Sequence, residues 1–259
     1  MSEAGKPVSY PWRLRLVHEG YSSIRLERPG SWFRFDPRDP PEEGEQVVLT
    51  WAELGRAEGT LQAVRMGTNP RVVAVPALRG WLHEHGSVQD RSPGGRVDDV
   101  QIEAIEYEPI PFATGAEAAR KTKAALMSPA VAARRLLRRT RTPTAPPIVV
   151  QLSFADGSRL LHLNCSLHQR ATQGWLNRCV ERFRGADWVI AGVDYEEEEA
   201  FERLVPSFEP GKLLVTDLVG NTRADLGLPV RHVTPLVDRL CAQGLAAFPF
   251  VGGTTYRFE

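Results

Sequence analysis

Residues 12–18 (WRLRLVH) alternate apolar and polar, the period of a strand buried on one face. Residues 22–27 and 31–36 repeat that alternation around Pro29-Gly30, a hairpin signal. Asp36-Pro37 ends the pair and opens a Pro- and Glu-rich loop over 37–45. Residues 46–50 (QVVLT) form an apolar run, as in a strand covered on both faces. The pattern then predicts a helix over 57–66, a strand at 71–75, a helix over 76–85 opened by Pro76, a polar loop at 86–98 and a strand at 99–106. Past residue 147, strands at 148–154 and 159–163 meet at Asp156-Gly157, a strong turn signal. A helix over 172–184, a strand at 187–191, a helix over 196–205, a strand at 212–216, a helix over 234–243 and a short terminal strand complete the reading. Residues 12–106 and 148–258 each run from hairpin strands into strand–helix alternation. Two such halves predict two sheets face to face with helices outside, in one domain spanning residues 1–259.

The chain has 259 residues, long enough for a sizeable core. Its 32 basic and 32 acidic residues balance, so global charge gives no reason to expect a nucleic-acid or anionic-membrane partner. No apolar run is long enough to span a bilayer, and MSEAGKPVSYPW lacks the apolar core of a signal peptide. The default expectation is a cytoplasmic location. Cys165, Cys179 and Cys241 are too few and too scattered for a disulfide framework, and are expected to be buried, inert thiols. His18, His83, His85 and His232 are expected in surface or capping roles.

Several motifs resemble the metallo-β-lactamase superfamily, in particular its cytoplasmic lactonase- and phosphodiesterase-like branch. Gly20-Tyr21-Ser22-Ser23-Ile24 resembles that family's opening Gly-His-Ser-Ser-apolar stretch, and the hairpin then runs to Phe35-Asp36-Pro37. Val47-Val48-Leu49-Thr50 resembles the buried strand before the family's Thr-His-x-His-x-Asp-His motif. Residues 156–163 resemble the hairpin before its Gly-Asp-Thr, and Lys212–Thr216 the strand that delivers its last metal-binding His. The resemblance implies a four-layer αββα sandwich with a helical insertion at about 112–147. It also implies that homo-oligomers are common.

The family's metal chemistry needs several imidazoles and a bridging carboxylate. Aligned through Thr50, the His positions fall on Trp51, Glu53 and Arg56, and the Asp on Gly55. Asn164 or Cys165 occupies the bridging-Asp position, and Asp217 that of the last His. Tyr21 and Asp36 belong to the same pocket. Arg56 is a permanent cation where a metal ligand should stand. No divalent metal or other cofactor is therefore expected.

Three readings of this set compete. In one, Arg56 pairs with Glu53 or Asp217 and plugs the pocket, because a buried charge needs a partner. In another, Glu53, Asp217 and Asp36 hold Mg²⁺ or Ca²⁺. In the third, Cys165 acts as a nucleophile with His162 or His168 as base, His168 being the better placed.

Between Ala118 and Arg141 lie eight basic residues and no acid. Ser128-Pro129 opens a helix there that groups Arg134, Arg138 and Arg141, with Arg135 and Arg139 beside them. Such a helix offers a surface to nucleic-acid phosphates or anionic lipid, or to the acidic run Glu196–Glu199 of a second subunit. The leading functional expectation is a non-catalytic pseudoenzyme with a binding or scaffold role. The alternatives are a divergent hydrolase of phosphodiester or lactone-type substrates and a polyanion-binding module.

Overall fold

The computed structural model describes residues 12–43, 45–51, 54–91, 94–108, 143, 145–164, 166–167, 171–193, 197–217, 230 and 232–259. The basic stretch with Arg134, Arg135, Arg138, Arg139 and Arg141, and the residues Glu53, Cys165 and His168, lie outside this set.

Two seven-stranded sheets form the centre. The first orders β14 (Thr255–Phe258), β1 (Leu14–Gly20), β2 (Ser23–Arg28), β3 (Ser31–Phe35), β4 (Gln46–Val48), β5 (Arg71–Val73) and β6 (Gln89–Arg91). The second orders β13 (Ala247–Pro249), β12 (Lys212–Thr216), β11 (Trp188–Gly192), β10 (Arg159–Asn164), β9 (Ile148–Ser153), β8 (Val100–Glu106) and β7 (Arg96–Val97). In each sheet an antiparallel meander passes into parallel strands: after β3 in the first, after β10 in the second. Helices α1 (Leu54–Arg65) and α2 (Pro76–His83) cover the first sheet, and α3 (Gln173–Phe183), α4 (Glu198–Leu204) and α5 (Thr234–Ala242) the second. This is the expected αββα sandwich.

Side-chain parity explains the layers. Leu14 and Leu16 on β1, Ile24 and Leu26 on β2, and Phe33 and Phe35 on β3 share a core with Leu160, Ile190 and Leu214 from the second sheet. The alternate residues of β9–β12, among them Val149, Leu161, Leu163, Val189 and Leu213, join a second cluster with Trp175, Phe183, Phe201 and Leu240 from the helices. Strands buried on both faces carry near-continuous apolar sequence, which is why residues 148–152 and 213–215 show little alternation. The outer face of β1–β3 instead carries an ion-pair ladder. It runs Arg15–Glu27 (2.6 Å), Glu27–Arg25 (3.1 Å), Arg25–Glu19 (3.5 Å), Glu19–Arg34 (2.8 Å) and Arg34–Glu45 (3.3 Å).

The sheets do not coincide with the two sequence halves. The strand at 100–106 pairs with β9 in the second sheet, with Ile102 opposite Leu152 and Ala104 opposite Val150. The terminal strand returns to the first sheet and covers the edge of β1. Both exchanges give backbone partners to edges that would otherwise be open. The predicted polar loop at 86–98 holds β6 and β7, short edge strands with too few buried residues to leave an apolar pattern. Among the described residues, no helix is long and apolar enough to cross a membrane.

Candidate functional site

Among the described residues, Asp36, Trp51, Arg56, Asn164 and Asp217 lie at or shortly after the ends of β3, β4, β10 and β12. Asp36 follows β3 and Asn164 closes β10, and both adopt left-handed backbone, at φ 43° and 54°. Asp and Asn tolerate this region better than other side chains with a Cβ, because their short polar groups bond locally. Each strand end can thus turn its side chain into the space between the sheets.

There the two residues close a ring with Thr50 and Arg56. Asp36 Oδ1 accepts the Thr50 backbone N–H at 2.7 Å, and Oδ2 accepts the Thr50 hydroxyl at 2.5 Å. Arg56 Nη1 donates to Asp36 Oδ2 at 3.0 Å and to Asn164 Oδ1 at 3.2 Å. Asn164 Nδ2 donates to Thr50 Oγ1 at 3.1 Å. The guanidinium also lies 4.9 Å from the centre of the half-buried Trp51 ring. All four ring members are buried, with Arg56 at 4% exposure. The Gly59 N–H donates to Pro37 O at 3.1 Å, and a Cβ at Gly59 would collide with the Pro37 and Asp39 carbonyl oxygens. This close approach docks α1 on the loop after Asp36 and sets Arg56, one turn earlier, beneath the carboxylate.

Burial holds the Asp36 carboxyl above its ordinary value, an effect that the Arg56 charge and the Thr50 donors offset only in part. The sequence expectation paired Arg56 with Glu53 or Asp217; the structure adds Asp36 as an ion-pair partner. Asp217 follows β12 and is half-buried, and Gly55 sits in α1. Tyr21, also left-handed at φ 53°, lies under the Arg38 guanidinium at 3.8 Å.

Two histidines complete this pole, and sequence reasoning misjudged one of them. His18 is buried, not in a surface or capping role, and its Nε2 lies 2.9 Å from Thr216 Oγ1. Parity is the signal that finds it: Leu14 and Leu16 face inward, so His18 does too. His162, of like parity with Leu160, is fully buried and stacks on Phe35 at 4.9 Å. Neither of its ring nitrogens has a hydrogen-bond partner. Burial, and secondarily the Arg56 charge, lowers His162 to about 3, and burial lowers His18 to about 4. Both imidazoles are neutral at pH 7. Of the thiols, Cys179 is buried and pushed up to about 12, whereas Cys241 is exposed, contrary to the expectation of three buried cysteines. Cys241 lies on α5, whose other flank supplies the buried Leu236, Val237 and Leu240.

The described residues here do not fit a dinuclear metal centre. Asp36 spends both oxygens on Thr50 and Arg56, and the guanidinium sits beside the carboxylate a metal would share. Among the described residues, no group of three or more His, Cys, Asp or Glu is placed to hold a metal ion.

No protein-family model and no curated protein sequence matches the chain. Solved structures do. A metallo hydrolase from Ignicoccus hospitalis, Igni18, aligns with TM-score 0.62 at 13% identity over 95% of this chain and 98% of that one. An isothiocyanate hydrolase from Delia radicum gut bacteria aligns with TM-score 0.60 at 12% identity, covering 95% and 99%. The diiron β-hydroxylase CmlA from Streptomyces venezuelae aligns with TM-score 0.61 at 12% identity over 96% of this chain, which spans 55% of that longer one. At these identities the likeness is one of fold, and the chain has the αββα sandwich fold of the metallo-β-lactamase type, shared with these three enzymes.

Proposed function

We propose that this chain is a non-catalytic form of the fold, a binding or scaffold protein in which a polar ring replaces the dinuclear metal centre. One observation carries the reading: the Arg56 guanidinium lies buried within 3.0 Å of Asp36 and 3.2 Å of Asn164. A fixed cation there repels a divalent ion, and both Asp36 oxygens are already bonded to Thr50 or Arg56. Zn²⁺ sites draw on neutral imidazole and thiolate, and among the described residues His18 and His162 are both held inside the core.

Metal analysis of purified protein tests this. The expected result is far less than one equivalent of Zn, Mn or Fe, with no metal-stimulated hydrolysis of phosphodiester or lactone probes. Near-stoichiometric metal that is lost in Asp217→Ala would overturn it and favour the competing reading, a divergent hydrolase. That alternative draws its support from hydrolases among the fold neighbours, Igni18 and the isothiocyanate hydrolase among them.

A further inference from the structure

At the pole opposite the Arg56 ring, the turns of both sheets border a cleft of about 560 Å³. Trp12 lines it ahead of β1, Arg28 and Ser31 at the ends of β2 and β3, Phe154 and Asp156 in the β9–β10 turn, and Asp99 in the β7–β8 turn. One wall is a flat stack. The Arg28 guanidinium lies 4.0 Å over the Phe154 ring, and the Arg28 side chain is 12% exposed. Two bonds fix it there: Nη2 donates to Asp156 Oδ2 at 2.5 Å and Nη1 to Ser158 Oγ at 2.8 Å. Asp156 balances the Arg28 charge, so this wall offers a planar stacking surface without a net charge. Trp12 adds a half-buried indole. Aromatic rings and guanidinium planes are the surfaces on which planar heterocycles stack. Asp99 is the polar group left over. Its Oδ1 accepts the hydroxyl of Ser31, itself 7% exposed, at 3.0 Å, and among the described residues no cation pairs with this carboxylate. A carboxylate has about four acceptor positions, so Asp99 can take two further N–H donors side by side.

We propose that this cleft binds a planar heteroaromatic ring with two adjacent N–H donors on one edge, the chemistry of a guanine or pterin ring. The ring lies against Trp12 and the Arg28–Phe154 stack, and its donor edge meets the Asp99 carboxylate. The volume falls in the range of small-ligand sites. Stacking holds the ring, and the carboxylate selects it, because a ring with an acceptor at that edge would face Asp99 unpaired. The site is separate from the Arg56 ring, and its occupancy does not depend on the reading of that ring.

Titration calorimetry with guanosine and with neopterin tests the assignment. Saturable one-to-one binding of at least one is expected, and the tighter of the two names the source of the ring. Adenosine, which carries a ring acceptor where guanosine carries a donor, should bind about tenfold more weakly than that ligand. Trp12→Ala should weaken binding about tenfold through lost stacking. Asp99→Asn keeps an acceptor for Ser31 and removes one from the ligand, and should weaken binding by about the same factor. Asp99 is exposed in a turn, so this variant keeps the fold. Absence of saturable heat with both probes would overturn the proposal. So would adenosine bound as tightly as the better probe, or affinity unchanged in either variant.

Discussion

Two sets of arginine–carboxylate pairs serve different ends in this molecule. At the strand-end pole, Arg56 and Asp36 have side chains 5% and 0% exposed and belong to a closed ring. On the outer face of β1–β3, Arg15 and Glu27 are 29% and 10% exposed and form one rung of a ladder. The pair type is the same and the surroundings differ. Water and salt screen the ladder, so each rung contributes little. In the ring, loss of one partner strands the other charge in the core. Of the two sets, the ring therefore carries the stronger coupling.

The largest effect should come from breaking the ring. Arg56→Leu is expected to cost about 3–5 kcal/mol, because it leaves Asp36 buried and ionisable without its cation. Arg56→Leu combined with Asp36→Asn should cost less than the sum of the two single changes. Urea melts of the four proteins measure that coupling, and additive losses would mean that the two side chains act independently.

The next effect is acid sensitivity. His18 and His162 are held well below their ordinary value of 6.5, at about 4 and about 3, so the folded protein keeps them neutral while the unfolded chain protonates them. Above pH 6.5 both states hold them neutral, so they add no pH dependence there. Stability is lost as pH falls from about 6.5 toward the folded values, at up to about 1.4 kcal/mol per pH unit for each histidine. His162→Phe, which preserves stacking on Phe35, should flatten this acid limb in denaturant midpoints measured between pH 7 and 4. A limb of unchanged slope would exclude His162 as its source.

The smallest effect belongs to the ladder. Arg15→Ala should change stability by less than about 1 kcal/mol, and 0.5 M salt should shrink the difference further. If Arg15→Ala matched Arg56→Leu in cost, the contrast between buried and screened pairs would fail.

Much of this architecture is legible in period and punctuation. Alternation at 12–36 and the turns at Pro29-Gly30 and Asp156-Gly157 place the hairpins, and the run 46–50 marks a strand covered on both faces. The place of the candidate site is equally legible, since Thr50 closes the apolar run and Arg56 follows six residues later. The edge strands β6 and β7 are not legible, because edge strands with few core contacts carry no apolar signature. Asp36 as the partner of Arg56 is also hidden: they stand 20 residues apart, and Asn164 another 108 from Arg56, so no local pattern connects them. Inward-facing His18 and His162 lie between these cases. Strand parity points both into the core, but their polarity suggests the surface.

By itself, then, the sequence determined the strand–helix order and the inward faces of the strands. These depend on local periodicity and residue identity. Tertiary structure alone decided which sheet received β8 and β14, and which carboxylate meets Arg56. Those outcomes rest on pairing free edges and on compensating a buried charge. Both are requirements of the assembled core, and short segments of chain carry no trace of them.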